Sequence, residues 1–193
     1  MSEMTFEHRI AAAQAGDEAA FTSLWRDLQP PLLRYLRVLA PENAEDLASE
    51  CWLQVMHSLG RFKGDEAGFK SWLFTIARNK VTDARRHAGR RPASALDDTE
   101  AGEPQACDDT ERSALERIST EAALRVIAEL PAEQAEIVVL RVVAGLDVTD
   151  VARIVHKSPG AVRVTSHRAL RKLQELLVRS GETAPTARKA VTP

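Results

Sequence analysis

The residues best equipped for chemistry lie near the end of the chain. Between Ser158 and Leu177, Arg163, Arg168, Arg171 and Lys172, with Thr165, Ser166 and His167, interleave with Val162, Leu170, Leu173 and Leu177 at helical spacing. Ser158 followed by Pro159 is a helix start. A serine can cap orphan N–H groups, and a proline in the first turn loses no intrahelical bond. A DNA major groove admits one helix and offers its base edges to residues near that helix's N-terminus. Here those residues are Gly160, Ala161, Arg163, Val164 and His167, with Lys157 and Ser158 just ahead of them. Arg163 can make a bidentate contact to guanine, while Arg168, Arg171 and Lys172 suit phosphates.

A basic helix reads DNA only when something holds it. Asp147 can cap a short helix from Val148 to about Val155, with Asp150 at its third position and Val151, Ala152 and Val155 facing inward. Ala152 is small where two helices must approach closely. His156-Lys157 forms the turn, at a place where glycine is usual because the backbone goes to positive φ. Val162 and Leu170 are expected to anchor the second helix. The unit, roughly Glu129 to Val178, reads as a helix-turn-helix.

Other chemistries find little support. His8, His57, His87, His156 and His167 are scattered, and no phosphate-cradling glycine loop, nucleophile elbow or metal-ligand cluster is present. No enzyme activity, metal or cofactor is therefore expected. A net charge of −2 in 193 residues argues against indiscriminate DNA binding by bulk charge. Cys51 lies in an apolar helical pattern and is expected as a buried thiol; Cys107 lies in a polar stretch; no disulfide framework is implied. With no leader pattern at Met1–Thr5 and no bilayer-spanning apolar run, a cytoplasmic protein without membrane contact is expected.

The remaining elements read as helices. Hydrophobic residues are 44% of the chain and aromatics 5%, and no run alternates with period two. Phe6 to Ala15 is stopped by Gly16, and Asp17 caps a helix carrying Ala20, Phe21, Leu24 and Trp25. Pro30-Pro31 is expected to break and restart the chain before Leu32, Leu33, Leu36 and Leu39. Asn43 with Asp46 resembles a capping box, opening a helix in which Leu47, Cys51, Val55 and Leu59 recur every four residues and which Gly60 ends. Arg61 to Gly68 reads as a loop. Phe69 opens a longer helix with Phe69, Leu73, Ile76 and Ala77 on one side. Asn79, Asp83 and Arg86 form a polar face on it, with Arg78 and Arg85 also seven apart. An acidic stretch follows Pro92, and helical spacing resumes at Leu115, Ile118, Ala122, Val126 and Leu130. Pro131 then starts a helix that runs through Val143 and is closed by Gly145. The expected fold is all-α: two small helical domains, 5–88 and 112–179, joined by a flexible acidic linker, 89–111, with a disordered tail, 180–193.

Three segments together carry a family resemblance: Ala44-Glu45-Asp46-Leu47 through Glu50, Phe69-Lys70-Ser71-Trp72-Leu73 through Ile76-Ala77-Arg78-Asn79, and His167-Arg168-Ala169-Leu170. The chain resembles, over roughly Asp17 to Leu177, the two-domain extracytoplasmic-function (ECF) sigma factors of the sigma-70 family, dissociable initiation subunits of bacterial RNA polymerase. The resemblance implies that the first domain (sigma region 2) recognises the −10 promoter element and the second (sigma region 4) the −35 element. It implies that Asp46, Ser49, Glu50 and Leu53 grip the polymerase β′ clamp helices, Ser49 standing where the family often has glutamine. Arg61, Phe62, Lys63 and Asp65 match the loop that captures a flipped −10 base, a task suited to an aromatic and short polar groups. Arg78, Asn79, Asp83 and Arg86 match the face turned to promoter DNA. Core polymerase (β and β′ subunits) and promoter DNA are the implied partners, with an anti-sigma factor as a further one. The alternative is a stand-alone helix-turn-helix regulator, which would bind duplex DNA without polymerase.

Overall fold

The structure, a computed structural model, describes residues 5–88 and 111–179. Residues 89–110 of the expected acidic linker, the expected C-terminal tail and Cys107 lie outside them, while Glu111, expected to end the linker, is helical. The described residues form helices and turns with no strand among them. The first region contains α1 (Phe6–Gln14), α2 (Glu18–Leu39), α3 (Ala44–Ser58) and α4 (Glu66–Ala88). The second contains α5 (Glu111–Ala128), α6 (Ala132–Val138), α7 (Val148–Val155) and α8 (Pro159–Arg179).

Local chemistry sets most of the boundaries. Gly16 takes φ +95° after α1, and the Asp17 carboxylate then accepts from the N–H groups of Ala19 and Ala20 at 2.9 and 3.0 Å. The expected break at Pro30-Pro31 does not occur: α2 runs through both prolines. They remove the amide donors that would have reached the carbonyls of Arg26 and Asp27, both of which lie on the exposed side. The opposite side buries Leu24, Leu28, Leu32, Tyr35, Leu36 and Leu39 in one stripe. Burial of that stripe outweighs two lost bonds where water can replace the donors.

The Asn43–Asp46 capping box also fails. Asn43 ends a 3-10 turn, Pro41–Asn43, that leads straight into α3, and its side chain makes no capping bond. Leu47, Cys51, Val55 and Leu59 are buried as their spacing requires. Burial pushes the Cys51 thiol up to about 12, so it stays protonated and inert. The helix ends at Ser58, and Gly60 sits in a further 3-10 turn, Leu59–Arg61. α4 starts three residues before the expected Phe69 because Asp65 caps it, accepting from the Gly68 N–H at 2.8 Å. The connecting loop therefore shrinks to residues 62–65.

In the second region the helix expected from Pro131 to Val143 is interrupted. α6 gives way to a π-helical turn, Val139–Val143, which keeps Val139 and Leu140 buried and turns Val142 outward. Gly145, at φ +67°, then reverses the chain. The two regions are in contact. α5, α6 and the π-helical turn lie against α2, α7 lies against α4, and the buried apolar residues of both form one continuous cluster.

Candidate nucleic-acid interface

The helix-turn-helix follows its sequence signals closely. The Asp147 carboxylate accepts from the Asp150 N–H at 2.7 Å, and α7 buries Val151, Ala152, Ile154 and Val155. At His156 the chain takes φ 56° and ψ 46°, the left-handed conformation the turn demands. This lets the N–H groups of His156 and Lys157 both reach the carbonyl of Ala152. The Ser158 hydroxyl then accepts from the Ala161 N–H at 3.2 Å, and α8 begins at Pro159. One expected anchor, Leu170, is not an anchor. Leu170 is 45% exposed, and Ala169 is buried in its place, beneath Val162 and above the half-buried Leu173 and Leu176. The i, i+7 and i+11 progression from Val162 lands on 169 and 173, so a leucine one residue off that line points to solvent.

Lys157, Ser158, Gly160, Arg163, Val164, His167, Arg168 and Arg171 are all exposed, and Ala161 is half-buried. Arg163, Arg168, Arg171 and Lys172 have no ion-pair partner among the described residues. Only Lys157 is paired, with Glu133 of α6 at 3.0 Å.

The first region treats its cations differently. Asn79, Asp83 and Arg86 share one exposed face of α4, as their spacing requires, with Arg86 3.5 Å from Asp83. Arg78 points elsewhere. Its Nε donates to Glu136 of α6 at 2.9 Å, where the Tyr35 hydroxyl also donates at 3.2 Å. Burial, and then the Glu136 charge and hydrogen bond, hold the Tyr35 hydroxyl well above its usual pKa of 10. Arg85 donates to the Leu39 carbonyl at 2.8 Å. Lys80 reaches Glu50 of α3 at 2.8 Å, which raises the lysine's pKa.

In the loop, Arg61, Lys63 and Asp65 are exposed. Phe62 is half-buried, stacked on Trp72 with ring centroids 5.3 Å apart and edge-on to Phe69 at 5.1 Å. The segment's anchor was invisible in the sequence. The Gln14 amide, from α1, donates to the carbonyls of Leu59 and Phe62 at 2.9 Å each. No local pattern marks a contact across some 45 residues. On α3, Asp46, Ser49, Glu50 and Leu53 form one exposed stripe, with the Ser49 hydroxyl turned back onto the Glu45 carbonyl at 3.0 Å. Met56, 58% exposed, extends the stripe beside Leu53 at 55%. It sits three residues beyond Leu53, a spacing that could have identified it.

Two family models match the chain: Sigma-70 region 2 over residues 24–91 and Sigma-70, region 4 over residues 120–173. A helical first region carrying an α4 polar face, followed by a helix-turn-helix, is thus the paired architecture of sigma-70 factors, and the chain belongs to that family. Within it, the chain is 34% identical over 184 residues to the ECF RNA polymerase sigma factor SigD of Mycobacterium bovis, covering 91% of this chain and 85% of the relative. It is 36% identical over 177 residues to the ECF RNA polymerase sigma factor ShbA of Streptomyces griseus, covering 86% and 92%. Among solved structures, the sigma factor RpoE of Bartonella quintana, in complex with the anti-sigma factor NepR, shares the fold at a TM-score of 0.60 and 24% identity, over 82% of this chain and 96% of that one. The chain is a member of the ECF subfamily, whose work is to direct core RNA polymerase to specific promoters and assist the melting that starts transcription. A stand-alone regulator leaves the region 2 match unexplained.

Proposed function

We propose that residues 5–88 serve the −10 element and the polymerase, and residues 112–179 the −35 element. The observation that carries the reading is the basic face of α8, whose cations have no ion-pair partner among the described residues, capped by Ser158 and backed by α7. Gly160, Ala161, Arg163, Val164 and His167 lie within the first turns of α8, the part that meets base edges. Arg163 reads a guanine, and the exposed Val164 offers an apolar surface to a thymine methyl group. Lys157, Ser158, Arg168 and Arg171 hold phosphates.

In the first region, Asn79, Asp83, Arg86 and, when released from Glu136, Arg78 meet the promoter. The loop from Arg61 to Asp65, pinned by Gln14, receives a flipped base. Phe62 would supply a stacking surface, with Lys63 exposed beside it and Asp65 holding the start of α4. Asp46, Ser49, Glu50 and Leu53, joined by Met56, present a mixed acidic and apolar stripe for the β′ clamp helices. An anti-sigma factor is part of the same proposal, since NepR binds a factor of this fold. The protein acts without catalysing a reaction of its own, in the cytoplasm where its polymerase is; no described helix is long and apolar enough to cross a membrane.

Run-off transcription with the cognate core enzyme tests the proposal. Wild-type protein should yield a discrete transcript from its promoter. Asp46→Ala with Leu53→Ala should abolish polymerase recruitment and the run-off product while leaving the helical circular dichroism of the full chain unchanged. A discrete complex of the free chain with a palindromic duplex, and no run-off product, would reject it.

A further inference from the structure

The loop between α3 and α4 is fixed at three points, and one of them comes from α1. The Leu59 carbonyl accepts from the Phe62 N–H at 3.0 Å, closing the 3-10 turn. Both it and the Phe62 carbonyl also accept from the Gln14 side-chain amide, at 2.9 Å each. Backbone acceptors at the end of a helical segment lack intrahelical donors, and a glutamine amide carries two N–H groups, enough for both. Gln14 is the last residue of α1, just ahead of the turn at Gly16. That helix is a firm support. It buries Phe6 and Ile10, and Arg9 ties it to α2 by donating to Ser23 at 3.1 Å and pairing with Asp27.

The other two fixed points lie within the loop. Phe62 stacks on Trp72, and a Cβ added at Gly64 would stand 3.1 Å from the Phe62 Cζ, so the loop backbone lies against the tip of that ring. Asp65 closes the loop by capping α4. Residues 62, 64 and 65 are thus all held, and Lys63 projects between them, exposed. A loop held in one geometry leaves its polar groups unpaired against a wrong base, whereas a loose loop reshapes around either and must also be ordered on binding.

We propose that Gln14 is a positioning residue for −10 recognition. By tying the Leu59 and Phe62 carbonyls to α1, it holds the base-capture loop in the geometry that discriminates the flipped base. Gln14 acts through the loop backbone, not by contact with the base. The inference rests on the reading of Arg61 to Asp65 as the loop that receives that base.

The test is run-off transcription by full-length chain and cognate core enzyme, on promoters carrying each of the four bases at each −10 position. Lys63→Ala changes an exposed side chain of the loop and should flatten the base preference at one position, which marks the captured base. Gln14→Glu keeps the side-chain length but sets a carboxylate against two carbonyls. It should reduce the preference at that same position about tenfold, the scale of two lost hydrogen bonds, with other positions and the helical circular dichroism unchanged. Gln14→Lys supplies donors again and should recover most of the preference. Amide hydrogen exchange at residues 62–65 should quicken in Gln14→Glu and slow again in Gln14→Lys. If Gln14→Glu keeps the preference that Lys63→Ala removes, or weakens every position equally, the positioning role is overturned and the loop reading stands. Absence of recovery in Gln14→Lys, or unchanged exchange in Gln14→Glu, overturns it too. If Lys63→Ala flattens no position, the loop reading itself fails, and the inference with it.

Discussion

α4 and α8 are both long, basic helices, of 23 and 21 residues, yet they hold their cations in opposite ways. On α4, Lys70, Arg78, Lys80 and Arg86 each face a carboxylate, from Glu66, Glu136, Glu50 and Asp83 respectively. On α8, Arg163, Arg168, Arg171 and Lys172 face none among the described residues. An unpaired cation gives its full counterion release to DNA, whereas a paired one must first break a contact. The difference suits α8 to duplex capture by charge, and α4 to a task reached after a rearrangement.

The contrast is broken or sharpened most strongly by salt. Replacing Arg168, Arg171 and Lys172 together with alanine should reduce the slope of log affinity against log salt, on a −35 duplex, by about 2.7. The matching triple on α4, Arg78, Lys80 and Arg86, should change the slope for the full promoter by clearly less; equal changes would erase the distinction. Next in size is the packing behind α8. Ala152→Leu forces extra volume between α7 and α8 and should cost about 1–3 kcal/mol, read from the urea midpoint. Arg163→Ala should likewise lose about 1–3 kcal/mol of discrimination at a single base pair, with preferences elsewhere on the site unchanged in a base-by-base competition assay. Asp147→Ala removes the cap of α7 and should lower stability by about 1 kcal/mol. The smallest effect has the opposite sign. His156→Gly relieves a left-handed residue and should stabilise the chain by about 0.5–1 kcal/mol without altering DNA affinity, because the exposed histidine serves the turn only by its backbone.

How well each part could be read from sequence follows from the range of the forces involved. Asp17, Asp147, Ser158 and the turn at His156 act within a few residues of themselves, and each sits where its type and spacing placed it. The break expected at Pro30-Pro31 fails because a local rule is set against the apolar stripe of a 22-residue helix, whose burial only the bundle supplies. Leu170 misled because two adjacent apolar residues, Ala169 and Leu170, offered a choice that size seemed to settle and helix phase decided. The candidate site divides in the same way. The exposed face of Asn79, Asp83 and Arg86 follows from helical periodicity, and the stripe from Asp46 to Leu53 from the family resemblance. The Gln14 anchor, the stacking of Phe62 on Trp72 and the removal of Arg78 from its neighbours' face do not.

By itself, then, the sequence determined an all-helical chain with a capped helix-turn-helix, a basic reading helix and a polar face of Asn79, Asp83 and Arg86 on α4, because caps and 3.6-residue periodicity are properties of neighbouring residues. Only the tertiary structure decided that the two regions share one core, that α2 passes unbroken through its prolines, and that Glu136 draws Arg78 and Tyr35 to a single carboxylate. Those outcomes depend on side chains tens of residues apart meeting in a partly buried place, where burial and charge pairing, rather than local preference, set the lowest free energy.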